Sequence, residues 1–125
     1  MSTIKTTILI IDDTPMNIDV LVGMLSSKHN IKAATNGKIG LKLADKFKPS
    51  LILLDIMMPG MNGYEVCKAL KEDIGLEDIP VLFVTAMESG FNKSTGLSAG
   101  GLDFIHKPID PVDLDEKVAK YISII

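Results

Sequence analysis

The stretch Leu51-Ile52-Leu53-Leu54-Asp55-Ile56-Met57-Met58-Pro59-Gly60 constrains this chain more than any other. Four apolar residues run into an aspartate, and a Pro-Gly turn follows. A short, unbroken apolar run fits a strand buried on both faces, the mark of an inner strand in a parallel sheet. The strand ends in a carboxylate. In open α/β sheets ligands bind outside the carboxyl ends of the strands, so Asp55 is predicted to stand where chemistry is done.

The rest of the chain repeats the same unit. Thr6 to Ile11 reads as a first buried strand, closed by Asp12-Asp13. Thr14-Pro15 opens a helix, with a capping hydroxyl and Pro at the first helical position. Ile18, Leu21, Val22 and Leu25 form its apolar face. A short second strand covers Ile31 to Ala34, and a second helix, marked by Gly40, Leu43, Ala44 and Phe47, stops at Pro49. After the third strand, Asn62-Gly63-Tyr64-Glu65 has the spacing of a capping box, and the third helix buries Val66, Cys67 and Leu70. Pro80 to Thr85 is a fourth buried strand. Met87 to Ser98 predicts a loop and a short, mobile helix. Gly101 to Ile105 is a fifth strand, more polar and therefore an edge. Asp110-Pro111 caps a last helix that buries Leu114, Val118, Tyr121 and Ile122. Strands alternating with helices imply an α/β fold, doubly wound around a five-stranded parallel sheet.

The 125 residues fit one domain, spanning 1–125. The net charge of -3 and the absence of a Lys/Arg run argue against a nucleic-acid surface. No apolar stretch is long enough to cross a bilayer, and the apolar segment before Asp12 reads as a strand rather than a signal peptide. A single cysteine, Cys67, permits no internal disulfide and suits a cytoplasmic setting. Cys67 itself reads as core, His29 as an exposed loop residue and His106 as outward-facing.

The strand ends carry the chemistry. The first supplies Asp12 and Asp13, the third Asp55, the fourth Thr85 and the fifth Lys107; only the second ends plainly, in Ala34-Thr35. Three close carboxylates repel unless something neutralises them. A hard divalent cation does so, and Mg²⁺ takes carboxylates and waters. Asp13 and Asp55 would bind directly, Asp12 directly or through water, and the backbone carbonyl of Met57 would complete the protein's share. Lys107 and Thr85 suit phosphate oxygens. One carboxylate is left as a nucleophile toward phosphorus, giving an acyl phosphate.

These residues resemble the receiver domain of two-component response regulators, over essentially the whole chain. The resemblance rests on Ile10-Ile11-Asp12-Asp13, on Leu53 to Gly63, on Phe83-Val84-Thr85-Ala86 and on Asp103-Phe104-Ile105-His106-Lys107-Pro108. It implies a flavodoxin-like sheet of order 2-1-3-4-5. It also implies that Asp55 takes a phosphoryl group from a sensor histidine kinase or a histidine phosphotransfer protein. Asp12 and Asp13 would hold Mg²⁺, Lys107 would contact the phosphate, and Thr85 would move to bond it while Phe104, at the family's switch position, turns inward. The face of helix four, strand five and helix five would then control a downstream effector or a fused output domain, and a phosphorylation-dependent dimer is compatible with that face. The side chains of Met57 and Met87 would flank the phosphoryl group. Both are apolar, so neither can orient an attacking water, and a long-lived phosphorylated state is expected unless both merely fill space.

Three other readings compete. A haloacid-dehalogenase-type phosphatase would carry Asp-x-Asp on an early strand, whereas Asp12 and Asp13 are adjacent. A flavin mononucleotide binder of the same fold would have a hydroxyl- and Gly-rich first loop, not Asp-Asp-Thr-Pro. A phosphate-independent interaction module would not need all five motif residues.

Overall fold

The computed structural model describes residues 6–86 and 93–122. Its elements alternate as expected: β1 (Thr7–Ile11), α1 (Pro15–Leu25), β2 (Asn30–Ala34), α2 (Gly37–Phe47), β3 (Leu51–Asp55), α3 (Gly63–Glu72), β4 (Val81–Thr85), α4 (Lys93–Ser98), β5 (Asp103–His106) and α5 (Pro111–Ile122). The strands form one sheet in the order β2-β1-β3-β4-β5, and every pairing is parallel.

Side chains alternate across a strand, so the apolar runs fill two cores at once. Ile8, Ile10, Leu51, Leu53, Leu82, Val84 and Ile105 face one side and meet Ile18, Leu21 and Leu25 of α1 and Leu114 and Val118 of α5. Leu9, Ile11, Ile52, Leu54, Val81 and Phe83 face the other and meet Ala44 of α2 and Val66, Cys67 and Leu70 of α3. Each fully buried Leu or Ile contributes about 1.5–3 kcal/mol. The cost of misplacing any one of these strands is therefore large, and the register that brings the carboxyl ends together is firmly held.

Local chemistry sets the helix ends near the site. The Asn62 side chain accepts the Glu65 N–H, and the Glu65 carboxylate accepts the Asn62 N–H, which completes the expected capping box. Gly63 then lets α3 close onto β3: its N–H donates to the Ile56 carbonyl at 2.9 Å, and a Cβ there would collide with the Asp55 carbonyl oxygen.

Several expectations are corrected. Thr14 is the N-cap of α1, yet its side chain makes no capping bond; the Asn17 N–H that such a cap would accept donates to the Thr14 backbone carbonyl at 3.0 Å. Phe47, one of the residues that mark α2 in the sequence, is 37% exposed, with the Lys32 and Lys46 ammonium groups 4.5 and 5.2 Å from its ring centroid. His29 is half-buried, not exposed, and its Nδ1 lies 2.7 Å from Thr6 Oγ1. The connection between α3 and β4 carries a buried anchor, Leu76. Tyr121 and Ile122 are half-buried, unlike Leu114 and Val118. The expected loop from Met87 lies outside the described residues up to Asn92, and the short fourth helix is six residues long.

Candidate functional site

Four of the five strands deliver a polar side chain to the same end of the sheet. Asp12 follows β1, its N–H donating to the Ala34 carbonyl of β2 at 3.1 Å. Asp55 closes β3 and pairs in register with Val84, one residue before Thr85. The Lys107 N–H donates to the Thr85 carbonyl at 2.7 Å, which fixes Lys107 beside β4. Asp12, Asp55 and Thr85 are buried, the three buried polar side chains among the described residues.

Asp12, Asp13 and Asp55 each place a carboxylate oxygen within 4.8 Å of the others. Among the described residues, one cation answers them. Lys107 Nζ donates to Asp12 Oδ2 at 3.3 Å and lies 3.5 Å from Asp55 Oδ1. Three acids against one ammonium leave excess negative charge at a mostly buried point. Burial pushes the Asp55 carboxyl up to about 6; the Asp12 charge adds to the rise, Lys107 opposes it and Asp13 contributes a smaller push upward. An open cleft of about 270 Å³ lies over the cluster, lined by Asp13, Asn17, Asp55, Met57, Thr85 and Lys107 among others.

The cleft's geometry divides the acids by role. Asp12 is already engaged: Oδ1 accepts the Thr14 N–H at 2.9 Å and the Asn17 amide at 3.4 Å, and Oδ2 faces Lys107. Asp13 and Asp55 line the cleft itself. The donor set is all oxygen and anionic, which fits a small hard dication better than a transition metal. Asn17 is the one site residue that sequence reasoning missed. It lies five residues past Asp12, in the first turn of α1, and its amide was the available signal.

Met57 lines the cleft and is 60% exposed. Met87 lies outside the described residues. Phe104 does not line the cleft and is buried, its ring stacked on Phe83 at 5.6 Å between centroids, with Tyr64 edge-on to Phe83 at 5.6 Å. Gly96 of α4 makes room for it: a Cβ there would meet the Phe104 ring at 2.8 Å. Side chains from α5 tie down the outer edge of β5. Lys117 Nζ donates to the Phe104 carbonyl at 2.6 Å, and Tyr121 Oη donates to Asp103 at 2.8 Å. His106 is exposed as expected, and Cys67 is buried, its thiol pushed up to about 11 by that burial.

The family model of the response regulator receiver domain matches residues 8–119. The chain belongs to that family. Its fold is the flavodoxin-like one, and the domain is a phosphorylation-dependent switch of two-component signalling. The response regulator PleD of Caulobacter vibrioides is 39% identical over 112 residues, 89% of this chain but 25% of its own length. This chain thus spans about a quarter of that relative. The protein PilH of Pseudomonas aeruginosa is 38% identical over 104 residues, covering 82% of this chain and 86% of its own. Among solved structures, the receiver domain of a Pseudomonas aeruginosa sensor histidine kinase superposes with a TM-score of 0.88 at 23% identity, over 96% of this chain and 99% of that one. That structure holds magnesium in its active-site cleft. No helix of the described residues is long and apolar enough to cross a membrane.

Proposed function

We propose that the receiver accepts its phosphoryl group on Asp55, with Mg²⁺ held at the acidic cluster. The observation that carries this is the convergence of Asp12, Asp13, Asp55 and the Lys107 ammonium at one end of the sheet. When bound, Mg²⁺ offsets the repulsion among the acids and neutralises charge on the phosphoryl oxygens. Asp13, Asp55 and the Met57 carbonyl would hold it directly. Asp12, whose oxygens already take donors from Thr14, Asn17 and Lys107, would contribute through water.

The donor is the phosphohistidine of a sensor kinase or of a histidine phosphotransfer protein. Asp55 attacks phosphorus in line: its carboxylate oxygen forms the new P–O bond as the P–N bond breaks, and the imidazole leaves with the electron pair. At neutral pH a carboxyl titrating near 6 is mostly ionised and so able to attack. The Lys107 ammonium neutralises equatorial charge, and the Thr85 hydroxyl donates to a phosphoryl oxygen. The chain's own chemistry is limited to gaining and losing this group.

The new group adds roughly -1.5 to -2 charge and three acceptor oxygens. Thr85 and Lys107 then have a partner present in only one state, which biases the neighbouring α4–β5–α5 face. Phe104, already packed between Gly96 and Phe83, makes that face responsive to small movements of β4. A partner protein or an attached output domain reads the change. We read residues 1–125 as one receiver unit working in the cytoplasm.

Incubation with Mg²⁺ and acetyl phosphate, followed by intact mass, tests the assignment. One phosphate should add, be lost to hydroxylamine and fail to appear in EDTA or in Asp55→Asn. An adduct of equal yield in Asp55→Asn would overturn it.

A further inference from the structure

A second concentration of charge lies away from the acidic cleft. Six of the thirteen lysines fall between residues 28 and 48, against a single acid, Asp45, in a chain whose net charge is -3. Three of them, Lys38, Lys42 and Lys46, stand at i, i+4 and i+8 on α2. That row lies opposite the buried Gly37, Gly40 and Ala44 and is exposed throughout. Like charges at this spacing oppose helix formation, so the row is not explained by the stability of α2. Among the described residues no ion pair involves any of the three. Asp45, the acid beside them, is held by Lys48 at 3.0 Å.

Beside the row is an apolar recess. A groove of about 520 Å³ runs between the start of α2 and the loop after β3, lined by Lys38, Leu41, Pro59 and Met61 among others. Lys38 belongs to both features, so the ammonium row continues the rim of the groove. Ile39 adds a further 44%-exposed apolar side chain next to Lys42.

We infer that this surface docks an acidic amphipathic helix of a partner protein, which lays apolar side chains in the groove and a row of carboxylates along Lys38, Lys42 and Lys46. The spacing supports a helical occupant: residues four apart on an α-helix advance about 6 Å, so Glu or Asp at i, i+4 and i+8 of a second helix matches the lysine row. The apolar anchors then follow the helix-in-groove mode. A nucleic acid fits less well. The chain has no arginine, and lysines act as point charges without the bidentate geometry that reads bases. A bilayer fits less well too, because the apolar surface lies mainly in a recess that a side chain enters and a flat membrane does not. The site is separate from the α4–β5–α5 face. Its far wall, Pro59 to Met61, belongs to the loop that leaves Asp55.

The test uses the full ¹⁵N-labelled chain and a synthetic helical peptide with Glu at every fourth position and Leu along the adjoining stripe. The expected result is saturable binding, with amide shifts concentrated at Leu41, Met61 and the lysine row. Affinity should fall about tenfold or more in the Lys38→Glu, Lys42→Glu, Lys46→Glu triple variant and with a peptide whose Leu residues are Ser. The triple variant should keep its thermal stability and its Mg²⁺-dependent phosphorylation, which separates loss of docking from loss of fold. Absence of saturable binding, shifts confined to another face, or equal affinity for the Ser peptide would each overturn the proposal. So would binding of phosphatidylserine vesicles or duplex DNA that depends on the three lysines while peptide binding does not.

Discussion

The carboxyl end of the sheet and the outer ridge of α2 both gather like charges, and they do so under opposite physical conditions. Asp12, Asp13 and Asp55 crowd within 4.8 Å at a mostly buried point, held by strand register and by the close approach of Gly63 to Asp55. Lys38, Lys42 and Lys46 are spread along an exposed helix where water and salt screen them. Buried repulsion shifts a proton equilibrium and calls for a small, hard counter-ion. Exposed repulsion costs a few tenths of a kcal/mol and leaves flexible charges free to meet a large partner. The first arrangement is preorganised chemistry; the second is a surface.

Substitutions can break or sharpen that contrast. The largest effect should come from Gly63→Ala. The added Cβ would meet the Asp55 carbonyl, a backbone atom that cannot rotate away, and overpacking of this kind costs about 3 kcal/mol. Urea unfolding should record the loss, with phosphorylation impaired in whatever remains folded. A variant of wild-type stability would mean that the site's backbone is not tightly held.

Next in size is the pH dependence of Asp55. Its folded-state pKa, about 6, lies above the ordinary carboxylate value of 3.8. The native state therefore binds this proton more tightly than the unfolded chain does. The stability it contributes is fully present below about pH 4 and is lost as pH rises through 6. In EDTA at neutral pH, Asp55→Asn should therefore be more stable than the parent by about 2 kcal/mol, with the difference shrinking as pH falls toward 4. Thermal melts across pH 4–8 would check this, and a destabilised Asn variant would contradict the crowding argument. Added Mg²⁺ should stabilise the parent and leave the variant nearly unchanged.

A smaller, kinetic effect is expected at Met57. An amide there can orient a water that the thioether cannot, so Met57→Asn, alone or with Met87→Glu, should shorten the lifetime of the phosphorylated state several-fold. Decay of the phosphorylated form by intact mass would show it, and unchanged decay would leave both side chains as space-fillers. The smallest effect belongs to the ridge. Lys42→Glu turns two like-charge pairs into opposite ones and should raise stability by about 0.5 kcal/mol, measurable at low salt and absent at high salt. A clear loss would mean that the row has a structural duty.

Much of this molecule was legible in the residues because its signals are redundant. Buried strands such as Leu51 to Asp55 announce themselves by unbroken apolar runs, and each ends in the side chain that builds the site. The Asn62/Glu65 box was readable because both partners are local. What failed depended on contacts distant in sequence or on competition within a loop. Thr14 looked like a capping hydroxyl, but the Asn17 N–H goes to its backbone carbonyl instead. Phe47 marked α2 by periodicity, but its exposed ring serves as a platform for Lys32 and Lys46. His29 finds Thr6 across the start of the sheet, a pairing that no local pattern carries. Asn17 was overlooked because an amide on a helix face is ordinary until Asp12 is seen beside it.

The central claim is that one particular carboxylate is the acceptor, and reductive trapping addresses it most directly. The chain, phosphorylated with acetyl phosphate and Mg²⁺, is treated with borohydride, which reduces an aspartyl phosphate to homoserine, and the peptides are sequenced by mass spectrometry. Homoserine at position 55, dependent on Mg²⁺ and absent elsewhere, is the expected result. Homoserine at Asp12 or Asp13, or a transferred phosphate with no homoserine at any aspartate, would contradict it.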